Sequence, residues 1–251
     1  MALAYDRAGT GPTLVLLHSL GADRHVWEPV SAALTAQRDV IALDLPGFGA
    51  SPALRSGPAT PAALASAVED LLEDLGLAAG AHVAGNSLGG WVALELAAAG
   101  RARSVTALAP AGLWPEPLMP KRGTARKLAR AALPVLPLLM RSGAARRAVL
   151  AGTVADGARV PPQAALALVR GYATAPGFDE VNAAMRSGRF TGLDKIHVPV
   201  TLVWGQRDRL VAPPAQLPRA VRSVRLPGAG HVPMWDAPDR VASLLLEGSS
   251  R

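Results

Sequence analysis

The stretch His82-Val83-Ala84-Gly85-Asn86-Ser87-Leu88-Gly89-Gly90-Trp91-Val92 passes from a short apolar segment into an apolar helical one through the pentapeptide Gly85-Asn86-Ser87-Leu88-Gly89. The first part, following the break at Ala79-Gly80, reads as a buried strand. From Leu88 to Ala99 the chain carries Val92, Leu94, Leu96 and several alanines without a proline, which reads as a buried helix. A serine at such a strand-to-helix corner is held in an unfavourable backbone conformation, tolerable only where the residues two before and two after lack bulk. Gly85 and Gly89 meet that need. The start of the helix aims its free N–H groups at the serine, so the amide of Leu88 can stabilise a developing oxyanion.

Working outward, Leu3 to Arg7 and Thr13 to Leu17 read as strands parted by a Gly-Thr-Gly-Pro turn. A helix is expected over Val26 to Ala36 and a strand over Asp39 to Leu45. Thr60 and Pro61 open a helix that runs to Leu75, with Gly76 as its stop. Ser104 to Leu108 is the next strand. The alternation then breaks between Gly112 and about Lys195, where helical patches are interrupted by prolines. It resumes with a strand at Val198 to Trp204, a helix at Pro213 to Val221, a strand at Ser223 to Leu226 and a helix at Pro238 to Leu246. This order predicts the α/β class, a mostly parallel sheet with helices on both faces. The core is expected to comprise residues 1–111 and 196–251, with residues 112–195 inserted as a helical segment.

With 251 residues, half of them apolar, the chain is long enough for one large domain with a sizeable core. Having no cysteine, it has no disulfide scaffold, thiolate metal site or catalytic thiol. The N-terminus lacks a basic stretch followed by a long apolar run, and the composition is compatible with the cytoplasm, where we expect the protein. The net charge of +7 is unevenly placed: residues 114–170 carry a balance of +8, leaving the remainder at −1. That segregation, without interleaved aromatics, argues against nucleic acid as a partner. The five histidines are scattered at 18, 25, 82, 197 and 231 with no metal-ligand spacing, so neither a metal nor another cofactor is expected.

A serine nucleophile needs a base within hydrogen-bond reach and a third group to hold that base. Trp204-Gly205-Gln206-Arg207-Asp208 places a carboxylate just past a buried strand, where catalytic groups of parallel sheets collect. Gly228-Ala229-Gly230-His231 places an imidazole just past the last strand. Asp44, also past a buried strand, is the competing acid. The order Ser87, Asp208, His231 resembles that of the α/β-hydrolase superfamily. So do Leu14-Val15-Leu16-Leu17-His18-Ser19-Leu20-Gly21, Asp44-Leu45-Pro46-Gly47-Phe48-Gly49-Ala50-Ser51 and Gly230-His231-Val232-Pro233 with Asp236 and Pro238.

The resemblance implies an eight-stranded type of sheet with a lid inserted after the sixth strand. It assigns Ser87, Asp208 and His231 as the catalytic triad, and the amides of Leu88 and Leu20 as the oxyanion hole. It makes Asp44 an organiser of its loop. His18, at a strand end beside the expected site, reads as a structural histidine hydrogen-bonded to the oxyanion loop in preference to a base. His18, Ser19, Asn86, Trp91, Trp235, Arg186 and Arg189 are the candidates for the substrate pocket.

The basic lid admits three readings: an apolar pocket wall with solvated arginines outside, recognition of an anionic substrate through Arg186 or Arg189, or contact with an acidic membrane surface. The function implied is a cofactor-free serine hydrolase acting on a small or medium carboxylic ester or lactone. The alternatives are a carbon–carbon bond hydrolase of a diketone-type ring-fission product and a ligand receptor on the same fold. The partner expected is a small-molecule substrate, and the sequence leaves the oligomeric state open.

Overall fold

The computed structural model describes residues 2–78, 80–119 and 123–250. Ala79 of the break before the central strand, and Pro120, Lys121 and Arg122 of the basic run, lie outside the described residues.

Seven strands form one sheet: β1 (Tyr5–Ala8), β2 (Thr13–Leu17), β3 (Asp39–Leu43), β4 (Ala81–Asn86), β5 (Ala102–Leu108), β6 (Val200–Gly205) and β7 (Val221–Leu226). Their spatial order is β1-β3-β2-β4-β5-β6-β7. Only β1 runs antiparallel to its neighbour, so the sheet is mostly parallel. Among the described residues the sheet thus has seven strands where eight were expected, and the inserted segment follows the fifth.

Successive residues of a strand face opposite sides, and the core divides accordingly. Val15, Leu17, Ile41, Leu43, Val83 and Val105 pack with α2 (Pro61–Asp74) and α3 (Leu88–Ala98) on one side. Leu14, Leu16, Val40, Ala84 and Leu108 pack with α1 (Glu28–Thr35) and α9 (Pro238–Gly248) on the other. The expected helix start at Thr60 is present: its side chain accepts from the amide of Ala63, Pro61 takes the first turn, and Gly76 beyond the end has φ +74. The helix expected from Val26 begins instead with a 3-10 turn, Arg24–Trp27, capped by the Asp23 carboxylate.

One expected helix is absent. Residues 213–220 form no regular element, and the chain reaches β7 in irregular conformation. The apolar run there contains Pro213, Pro214 and Pro218. Each forces the residue before it out of the helical region and removes a backbone donor. Leu217 still packs against the core.

Between β5 and β6 the described residues contain helices and no strand: α4 (Thr124–Ala131), α5 (Leu136–Leu139), α6 (Gly143–Val149), α7 (Pro162–Thr174) and α8 (Phe178–Ser187). The turn between α7 and α8 touches the core at paired glycines. Gly177 donates to the carbonyl of Gly47 at 2.9 Å, and a Cβ on Gly47 would lie 2.8 Å from Gly177 Cα. Arg126, buried under α4, donates to the carbonyls of Tyr172 and Ala175, pairs with Asp179 and lies over the Phe178 ring. That one side chain joins α4 to the α7–α8 corner.

Candidate active site

Ser87 joins β4 to α3 with φ 54 and ψ −110, a conformation that costs an L residue roughly 1–3 kcal/mol. The surroundings fix it there. Its N–H donates to Leu108 O, and its carbonyl accepts from the amides of Trp91 and Ala111. The flanking glycines are obligatory by contact: a Cβ on Gly85 would lie 2.1 Å from Gly89 O, and one on Gly89 would lie 2.2 Å from Leu17 O.

The missing side chain at Gly89 also lets β2 and its following loop approach the start of α3. The amide of Gly89 donates to His18 O at 3.1 Å, fixing the His18-Ser19-Leu20 loop beside Ser87. Among the described residues, the backbone amides of Leu88 and Leu20 have no hydrogen-bond partner, while Ser19, Leu20 and Ser87 line one cavity. Two uncommitted donors near a nucleophile are what an oxyanion hole requires.

Asp208 lies just beyond β6 and His231 just beyond the neighbouring β7, at the C-terminal edge of the sheet where Ser87 also lies. The two turns are built together. Arg207 N donates to Ala229 O at 2.8 Å, and a Cβ on Gly205 would meet Gly230 O at 2.2 Å. His231 Nδ1 then bonds Asp208 Oδ2 at 2.8 Å, leaving Nε2 for the cavity that His231 lines with Ser87. The other carboxylate oxygen of Asp208 accepts from the amides of Leu210 and Val211 at 2.7 and 3.1 Å. Burial pushes the Asp208 carboxyl up. The hydrogen bond and charge of His231, with the two amides, outweigh this and hold it below the usual value of 3.8.

The competing acid is committed elsewhere. Asp44 accepts from the backbone and guanidinium of Arg24 and from the amide of Ala50. A Cβ on Gly49, whose φ is +53, would lie 2.1 Å from its carboxylate. Asp44 therefore organises its loop.

Several pocket candidates fall outside the cavity. His18 is fully buried, with Nδ1 on the Ser19 carbonyl and Nε2 accepting from Leu45 N. Both nitrogens are occupied, so it shapes the loop and does not meet substrate. Burial lowers its pKa, and the bond to the Ser19 carbonyl only partly opposes this. Asn86 is also fully buried and donates to the carbonyls of Leu108 and His231. Trp91, one helical turn past Ser87, points into the core, where it donates to Glu95 and meets Trp114 edge to face. Trp235 lines a separate small cleft with His25 and Val26. Arg189 is exposed and bonds Pro115 O outside the cavity.

Of the candidates, Ser19 and Arg186 do line it, although the Arg186 guanidinium is engaged by Met119 O. The cavity holds about 1110 Å³, and Leu118, Tyr172, Phe178, Met185 and Val211 provide much of its apolar surface.

Two contributors had no expected role. Asp236 accepts from Gly230 N at 2.8 Å and from Ala155 N at 2.9 Å, linking the histidine loop to the inserted segment. Thr153 O accepts from Val232 N at 2.8 Å on the other side of His231. The sequence marks Asp236 only as part of the family-like segment that begins at Gly230, and gives no sign of Thr153. Among the described residues no group of His, Cys, Asp and Glu is clustered so as to hold a metal ion.

The profile of the Alpha/beta hydrolase family matches residues 14–244. The epoxide hydrolase EphH of Mycobacterium tuberculosis is 34% identical over 212 residues, 73% of this chain and 92% of that protein. The pimeloyl-[acyl-carrier protein] methyl ester esterase of Aeromonas hydrophila is 39% identical over 97 residues, 39% of this chain and 36% of that protein, so the match spans about a third of its length. Among solved structures, a bacterial membrane phospholipase A superposes with a TM-score of 0.75 at 28% identity, over 98% of this chain and 83% of that one.

Proposed function

The chain belongs to the alpha/beta hydrolase family, and from that premise we propose that it is a serine hydrolase of a small or medium carboxylic ester or lactone. Ser87 Oγ attacks the carbonyl carbon while His231 Nε2 takes its proton and Asp208 holds the imidazole. The amides of Leu88 and Leu20 receive the oxyanion, where the loss of one donor typically costs ~10²–10³ in rate. Collapse of the tetrahedral intermediate expels the alkoxide, protonated by His231, and leaves an acyl-enzyme. Water, deprotonated by His231, releases the acid and restores Ser87. The observation carrying this reading is that the strained serine, Leu20 of the oxyanion loop and the aspartate-bound histidine all border one largely apolar cavity.

The nucleophile's own chemistry limits the substrate. A serine oxygen that opened an epoxide would form an ether, which water does not readily cleave; attack on a carbonyl gives an ester that turns over. Ser87 thus favours carbonyl substrates despite the likeness to an epoxide hydrolase. The carbon–carbon alternative asks for a free arginine for a substrate carboxylate. Arg189 lies outside the cavity and Arg186 is engaged by a carbonyl, so neither meets that need; Arg209, which also lines the cavity, is the side chain placed to do so, and the carbon–carbon reading stands second to the ester or lactone. Among the described residues no helix is long and apolar enough to cross a membrane, and a cytoplasmic location is part of the same proposal.

The test is labelling with a fluorophosphonate beside a panel of chromogenic esters of graded acyl length. Wild type should label and turn over, and Ser87→Ala should do neither. Wild-type turnover by the variant would overturn the assignment.

A further inference from the structure

We propose that the outer face of α4 and α5 docks on an anionic lipid bilayer. Six of the eight large apolar side chains exposed among the described residues lie between Met119 and Val149. Leu128 and Leu138 are 71% and 70% exposed, with Val135 and Leu139 beside them. Hydrogen bonds from Ala132 N to Leu128 O, Leu136 N to Ala132 O, Leu139 N to Val135 O and Met140 N to Leu136 O make Thr124 to Met140 a nearly continuous helical path. Spacings of seven and four residues place Leu128, Val135 and Leu139 along one side of that path, with Leu138 adjoining. The opposite side is what holds it to the protein, through buried Arg126, Leu136 and Met140. The apolar stripe therefore faces solvent because its counterpart faces inward.

The charge around the stripe selects the occupant. Residues 117–155 contain eight Lys and Arg and no Asp or Glu. Arg126 and Arg147 are paired with Asp179 and Asp156, and Arg146 is directed to the carbonyls of Met140, Arg141 and Ala158. Lys127 and Arg141 are exposed next to the leucines. A soluble partner recognised by charge alone gives no use to four exposed aliphatic side chains, whereas a bilayer of anionic headgroups accepts both, aliphatics among the acyl chains and cations at the phosphates. The cavity containing Ser87 is walled in part by Gly123, Ala125 and Arg126, so the docking face and the cavity share α4.

The experiment is sedimentation of the full chain with phosphatidylcholine vesicles and with vesicles containing one-third phosphatidylglycerol, alongside hydrolysis of a short, water-soluble ester. Wild type should bind the anionic vesicles at least about tenfold better than the neutral ones. Both L128Q/L138Q and K127Q/R141Q should weaken that binding about tenfold or more while leaving soluble-ester hydrolysis unchanged, since none of the four touches the triad. No binding by wild type overturns the proposal. So does retention that salt abolishes but L128Q/L138Q leaves intact, the behaviour of a purely ionic face suited to an acidic protein. Vesicle binding and ester hydrolysis are read separately, so failure of one is distinguishable from failure of the other.

Discussion

The side-chain amide of Asn86 donates to the backbone carbonyl of His231 at 2.9 Å, across 145 residues of sequence. The residue before the serine therefore fixes the loop that carries the histidine. Replacing it should displace the imidazole without touching either reacting group. We expect Asn86→Ala to lower kcat by about 10²-fold with little change in KM, as a misplacement of about 1 Å commonly does. Steady-state kinetics on the soluble ester, with circular dichroism to verify the fold, check this.

Gly89 should tolerate no side chain. Alanine there would drive a methyl into Leu17 O and press the oxyanion loop away from α3, costing roughly 1–3 kcal/mol or more from overpacking and abolishing turnover. Gly123→Ala, where a Cβ meets nothing within 4 Å, is the control and should stay within about 0.5 kcal/mol in urea unfolding.

Stability should depend on pH through His18. Burial lowers its native pKa below the unfolded value of 6.5, and protonation of Nε2 would break its bond from Leu45 N. Above pH 6.5 both states are neutral and the native fold keeps its full stability. As pH falls below 6.5 the unfolded chain takes up a proton that native His18 refuses, so stability declines until the native pKa is passed. Burial lowers the pKa of His82 as well, so it adds a decline of the same sign. His18→Gln should remove up to one proton's share of the slope, ~1.4 kcal/mol per pH unit, leaving that of His82. Urea midpoints between pH 5 and 7 measure the difference. An unchanged slope would refute the account.

Arg126→Met should loosen α4 and spare the sheet. The substitution leaves the carbonyl of Tyr172 unpaired, at about 1–3 kcal/mol, and the carbonyl of Ala175 with only the amide of Phe178 at 3.3 Å. Hydrogen exchange should accelerate in α4 while the amides of β4 and β5 keep their protection.

The parts of this architecture that could be read from residues alone are those where backbone geometry restricts the choice of side chain. Gly85 and Gly89 are dictated by contacts near 2 Å, and Thr60-Pro61 by the needs of a helix start. Asp208 follows β6, whose run is apolar but for Thr201 and the final glycine, and His231 follows β7, where Val221, Val224 and Leu226 are interspersed with arginines and a serine. What escaped was orientation. Trp91 lies four residues past Ser87 yet faces the core, and Asn86 adjoins it yet turns toward the histidine loop. Proximity in sequence says nothing about which side of a helix or strand a side chain takes. The segment 213–220 misled differently: its apolar residues pack without helical structure because the prolines forbid it.

Asp236 and Thr153 have a consequence for engineering. Because the backbone of residues 153–155 helps seat the turn bearing His231, part of the inserted segment belongs to the catalytic scaffold. A chimera that imports a foreign cap should take only residues 124–150 and retain the native chain from Thr153 onward. A graft cut at the strand ends would exchange the specificity-bearing helices together with the histidine's seat, and its inactivity would say nothing about substrate choice.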